Sequence, residues 1–80
     1  MEIVFSNWNC GNFKCPEAIT INTSEIESEA EIELAESILN AISCAMPTTG
    51  KANALVTVYD DEGDEAEINY MIESGKFKRD

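Results

Sequence analysis

Sixteen acidic side chains, three cysteines and no histidine set the chemistry open to this 80-residue chain. Without an imidazole there is no base that titrates near neutrality and no nitrogen ligand for a metal, so Ser–His and Cys–His nucleophile pairs are excluded. Paired carboxylates can serve as general acid and base, but only in a concave, desolvated pocket that splits their pKa values. A chain this short, with its acids on turns and on an exposed helix face, offers little such burial. No Gly-rich phosphate loop is present either. The expectation is a protein that is not an enzyme and needs no cofactor.

The cysteines and the densest acid run are the groups that could hold a metal. Cys10 and Cys15 flank Gly11-Asn12-Phe13-Lys14, and Cys44 lies far downstream. A zinc site built on them would need a carboxylate or a second chain as fourth ligand. A Cys10–Cys15 disulfide stays open, because geometry decides it. An odd cysteine count, with no basic n-region and apolar h-region at the start, favours reduced thiols and a cytoplasmic location. Cys44 reads as a small core residue on a helix. The turn Asp60-Asp61-Glu62-Gly63-Asp64-Glu65 is dense in carboxylates, yet Gly63 stands fourth from Asp60 and strands flank it, which fails the EF-hand template.

What the acids do as a set is more informative. Five Lys plus Arg leave a net charge of −11, which argues against direct contact with nucleic acid or an anionic membrane. If a helix reaches back to Glu25, then Glu25, Glu29, Glu33 and Glu36 fall within about 80° of one another and climb it in steps of roughly 4.5–6 Å. A second cluster comprises Asp60, Asp61, Glu62, Asp64, Glu65 and Glu67. Like charges at such spacing destabilise a helix by a few tenths of a kcal/mol per pair, and no Lys or Arg lies between Ala18 and Gly50 to offset them. One reading is that the first-turn acids suit the helix dipole and that acidity promotes solubility. The other is that the acids form a contact surface for a basic partner.

These groups must be positioned by a thin core, since a chain of 8.8 kDa buries only roughly 60–65% of its unfolded surface. One domain over residues 1–80 is expected. Residues 2–6 alternate and read as a strand, 7–16 as a loop, and 18–22, β-branched and alternating, as a second strand paired antiparallel with the first. Between Ser24 and Met46 lies the one long helical stretch. Ser24 with Glu27 and Ser28 with Glu31 both fit the capping box. Ile32, Leu34, Ala35, Ile38, Leu39, Ala41, Ile42, Ala45 and Met46 fill one arc, with Glu29, Glu33, Glu36, Asn40 and Ser43 opposite. Glu27 and Glu31 would fall inside the apolar arc, so the spacing predicts a start near Ser28 with Glu31 turned back as a cap. The period of two over 26–31 leaves a strand reading open there. Pro47 and Gly50 end the helix.

From Ala52 to Glu73 the alternation predicts a hairpin with Gly63 in the left-handed position, Val58 opposite Ala66 and Val56 opposite Ile68. Its second face would carry Leu55, Thr57, Tyr59, Glu65, Glu67, Asn69 and Met71. Residues 75–80 read as a short basic tail. Trp8, Phe13 and Phe77 either close the core ends or form a contact patch. The expected fold class is α+β: a single antiparallel four-stranded sheet in ββαββ order with one helix packed on one face.

In size, acidity and mixed layout the whole chain resembles the small phage-encoded inhibitors that imitate DNA, the anti-CRISPR and anti-restriction proteins. The resemblance implies a viral, DNA-mimic inhibitor whose acidic side chains, here the helix and hairpin acids named above, occupy a basic nucleic-acid-binding surface of a host defence complex. Two other readings stand beside it. One is a thiol or metal module centred on Cys10 and Cys15. The other is a structural protein that oligomerises through the uncovered hairpin face or a sheet edge. The expected state is monomer or homodimer.

Overall fold

The computed structural model describes residues 1–9, 11, 16–46, 50–59, 62–73 and 75–80. Six elements follow in chain order: β1 (Glu2–Asn9), β2 (Ala18–Thr20), α1 (Ser28–Ala45), β3 (Lys51–Tyr59), β4 (Glu65–Glu73) and β5 (Lys76–Arg79). They form one antiparallel sheet in the order β2-β1-β3-β4-β5, with α1 on one face. The α+β class and the helix-on-sheet layout hold, but the four-stranded ββαββ expectation is corrected to five strands. The basic tail is the fifth: Phe77 pairs with Ile72 and turns inward between two exposed lysines. Four residues give too short an alternation to stand out beside their charge.

The β3–β4 hairpin keeps the expected register, Val58 facing Ala66 and Val56 facing Ile68, and Gly63 takes a φ of 86°. Ile3 continues the row on β1 by pairing with Val56, and Phe5 by pairing with Ala54. This inner face carries Ile3, Phe5, Ala52, Ala54, Val56, Val58, Tyr70 and Ile72 into the core, where Ala35, Leu39, Met1 and Met46 meet them. β1 runs on past residue 6 through an irregularity between Ser6 and Asn9, where Asn7 adopts a φ of 55°. An unbroken strand would place Trp8 with Ser6 on the outer face. The extra residue turns it inward, and its ring stacks on Phe5 with centroids 5.2 Å apart. Trp8 and Phe77 thus close the core; Phe13 lies outside the described residues, as does Pro47.

The helix starts at Ser28 as the spacing predicts, but its buried seam differs. Glu31, Ala35, Leu39 and Ser43 are buried at strict i,i+4 spacing, while Ile32, Ile38 and Ile42 are half-buried. Leu34, Ala41, Ala45 and Cys44 are exposed, which corrects the core placement of all four. Ser43, expected on the polar arc, is 0% exposed; its hydroxyl donates to the Asn40 carbonyl at 2.9 Å. Gly75, at a φ of 80°, lies close by: a Cβ there would sit 3.8 Å from the Ser43 carbonyl oxygen, in ordinary contact.

Glu31 does not cap the helix; no side chain does. Its carboxylate is 2% exposed and bridges the layers. One oxygen accepts from the Thr23 hydroxyl, the other from the Tyr59 backbone N–H at 3.2 Å. Thr23 Oγ1 in turn accepts from the Met1 amine at 3.1 Å. A carboxylate inside the apolar arc is tolerated because each oxygen has a donor and an amine lies one bond away.

Candidate functional site

Chain direction decides where the acids meet. β2 and β3 are both antiparallel to β1, hence parallel to each other, and α1 is the crossover between them. The helix therefore starts at the end of the sheet where β3 finishes. Glu31 bonding to Tyr59 fixes that contact. Consequently the start of α1, the first residues of β1 and the tip of the β3–β4 hairpin form one pole. Exposed Glu25, Glu27 and Glu29 lie there on the helix side, Glu62 and Asp64 at the tip, and Glu2, Glu65 and Glu67 on the strands. The basic residues among those described, Lys51, Lys76, Lys78 and Arg79, lie on the half of the sheet toward the other end. From the Tyr59 row to the Lys51 row is eight strand steps, about 26 Å, in a molecule 40 Å long and 19 by 18 Å across. The surface charge is thus polarised along the long axis.

Not all the expected contact residues belong to that pole. Glu25, Glu29 and Glu33 are exposed, but α1 starts at Ser28 and does not reach back to Glu25, so the expected helical ridge is corrected to Glu29 and Glu33, one turn apart, with Glu25 in the preceding turn. Glu36 is half-buried and engaged: Tyr70 donates its phenol to Glu36 Oε2 at 2.8 Å, and Arg79 reaches the same oxygen at 3.4 Å. Arg79 also lies over the Tyr70 ring, 5.8 Å from its centroid. Burial pushes the Tyr70 phenol above its ordinary value of 10.0, and the Glu36 carboxylate adds to the effect while Arg79 opposes it. Glu36 thus has partners within the fold in Tyr70 and Arg79, which sets it apart from the other helix acids. Its helical spacing gave no sign of this, because the partner Arg79 sits in the segment read as a tail.

Glu65 and Glu67 project from the sheet face opposite the helix, as the alternation predicts. The helix ridge and the strand acids thus occupy opposite sides of the molecule and approach each other only at the pole. Asp60 and Asp61 lie outside the described residues, as do Cys10 and Cys15. Among the described residues no group of three or more His, Cys, Asp or Glu is placed to hold a metal ion, and no helix is long and apolar enough to cross a membrane. Glu2 and Glu27 were the contributors that sequence reasoning missed. Glu2 joins the strand acids only through the register Glu2↔Thr57↔Glu67. Comparison of the chain with protein-family models, with curated proteins and with solved structures finds no match.

Proposed function

We propose that this protein is an acidic protein-binding module whose carboxylate pole occupies a basic, nucleic-acid-binding surface of another protein, acting as an inhibitor that substitutes for DNA. The observation that supports this reading best is the convergence of the helix start and the hairpin tip at one end, with the bases displaced to the other. Spread evenly, the same charge would favour solubility without direction. Gathered at one end of an elongated molecule, it orients the encounter with a cationic groove and speeds association. Glu29 and Glu33 present their carboxylates on a rigid helix, with Glu25 exposed in the turn that precedes it, so for those two little ordering beyond the acid side chains themselves is required on binding. Binding to nucleic acid itself is disfavoured by the same charge.

Affinity capture from a nuclease-treated lysate of the natural host tests the proposal. A nucleic-acid-binding protein should be retained at low salt and released at high salt, and a Glu25→Lys, Glu29→Lys, Glu33→Lys variant should fail to retain it. A partner held equally by the wild type and the triple variant would rule out the helix ridge as the contact.

A further inference from the structure

Among the described residues, none forms a layer over the sheet face away from the helix. Its central row is Val4–Leu55–Asn69, with Met71 on the next outward row and Tyr59 on the end row beyond Thr57 and Glu67; Val4, Tyr59 and Met71 are 37%, 47% and 40% exposed. Charge on this face is divided lengthwise. Glu2, Glu65 and Glu67 stand on one side of the central row, Lys51, Lys76 and Lys78 on the other, where Glu73 is already bridged to Lys51 at 3.5 Å.

We propose that this face docks on a second copy of the same chain, by a twofold axis that lies in the plane of the sheet and runs across the strands. Two in-plane twofolds could bring the faces together. An axis along the strands lays acid on acid and base on base. An axis across them, through the Leu55 row, lays the Glu67 row of each copy over the Lys78 row of its partner, and Val4 and Leu55 meet their own counterparts at the centre. Charge complementarity selects the second arrangement. Asp80, whose N–H bonds to the Asn69 carbonyl, stays at the rim of the central row.

The sheet edges are poorer candidates for self-association. β2 is only three residues long and β5 four, and β5 carries Lys76, Lys78 and Arg79, the short charged edges that resist strand addition. Five strands about 4.8 Å apart and a longest strand of nine residues give the face on the order of 500 Å² per copy, or about 1,000 Å² for the pair. That is the lower limit for a specific interface, where association is weak and concentration-dependent. The dimer leaves the helix acids of each copy outward and sets the two acidic poles at opposite ends, but it covers Glu2, Glu65 and Glu67, so only the helix and hairpin-tip acids of the pole remain open to another partner; self-association is measured on the chain alone and stands or falls apart from the proposed binding function.

Sedimentation equilibrium of the full chain from micromolar to about 1 mM tests this directly. The wild type should dimerise; Glu67→Lys and Lys78→Glu, both at exposed positions, should each weaken the dimer about tenfold or more; the double swap should restore it. Circular dichroism confirms that each variant is folded. A monomeric wild type throughout the range would overturn the proposal, as would a dimer indifferent to the single changes or not restored by the double one. A Glu67→Lys dimer tighter than wild type would show the axis along the strands instead, and would overturn the arrangement proposed.

Discussion

Replacing Glu31 by alanine should be among the most damaging single changes in this protein, although glutamate is the commonest acid on its surface. Two donors lose their acceptor: the Tyr59 N–H at 3.2 Å and the Thr23 hydroxyl. Both sit at a site where Glu31 is 2% exposed, so water cannot readily replace the carboxylate. Each stranded donor costs about 1–3 kcal/mol. The Met1 amine, bonded to Thr23 Oγ1 at 3.1 Å, also loses its nearby negative charge. A total of about 3 kcal/mol corresponds to a fall in Tm of about 12–24 °C for a domain of this size. Glu31→Gln keeps the shape and one acceptor oxygen, and should cost about 1 kcal/mol. Urea unfolding followed by circular dichroism, with thermal melts alongside, measures both. An alanine variant within 1 kcal/mol of wild type, or a glutamine variant as damaged as the alanine one, would refute the bridging role assigned to the carboxylate.

Two further outcomes follow from local geometry. Tyr70→Phe removes the 2.8 Å hydrogen bond to Glu36 and should lower stability by about 1 kcal/mol near neutral pH. Because burial raises the Tyr70 pKa above 10.0, its contribution is full below that pH and is lost as pH rises through the folded-state value; the wild type should show an alkaline fall in stability, by denaturant titration, that the Phe variant lacks. Cys44, exposed with a free thiol, should react with a thiol reagent in the native protein, and Cys44→Ser should remove one equivalent from the native count with a stability change within about 0.5 kcal/mol.

The parts of this fold that follow from local spacing were legible in the sequence. The hairpin register, the left-handed Gly63 and the helix start at Ser28 each rest on a pattern read within a few residues. What needs a tertiary partner was not. The helix wheel ranks Leu34 above Ser43, yet Ser43 is buried because it lies on the i,i+4 seam with Glu31, Ala35 and Leu39 that faces the sheet. It reads Glu31 as a cap because the Tyr59 N–H that satisfies it lies 28 residues away. For the same reason Glu36 looked like one more acid on a ridge, while its Tyr70 and Arg79 partners lie on strands far along the chain. The acids themselves were visible, and so was the outward face of Glu65 and Glu67. Their assembly into a pole depends on which way the helix crosses the sheet, a property of the β2–α1–β3 connection that no single segment encodes.

We propose above all that the acidic pole stands in for nucleic acid on a basic surface. Displacement of a fluorescent DNA or RNA duplex from the captured partner, followed by anisotropy at low salt, tests it most directly. The wild-type protein should displace the duplex, the Glu25→Lys, Glu29→Lys, Glu33→Lys variant should be weaker by about a hundredfold or more, and added salt should weaken the wild type toward it. A partner that binds protein and duplex at the same time, or displacement unchanged by the three reversals, would contradict it.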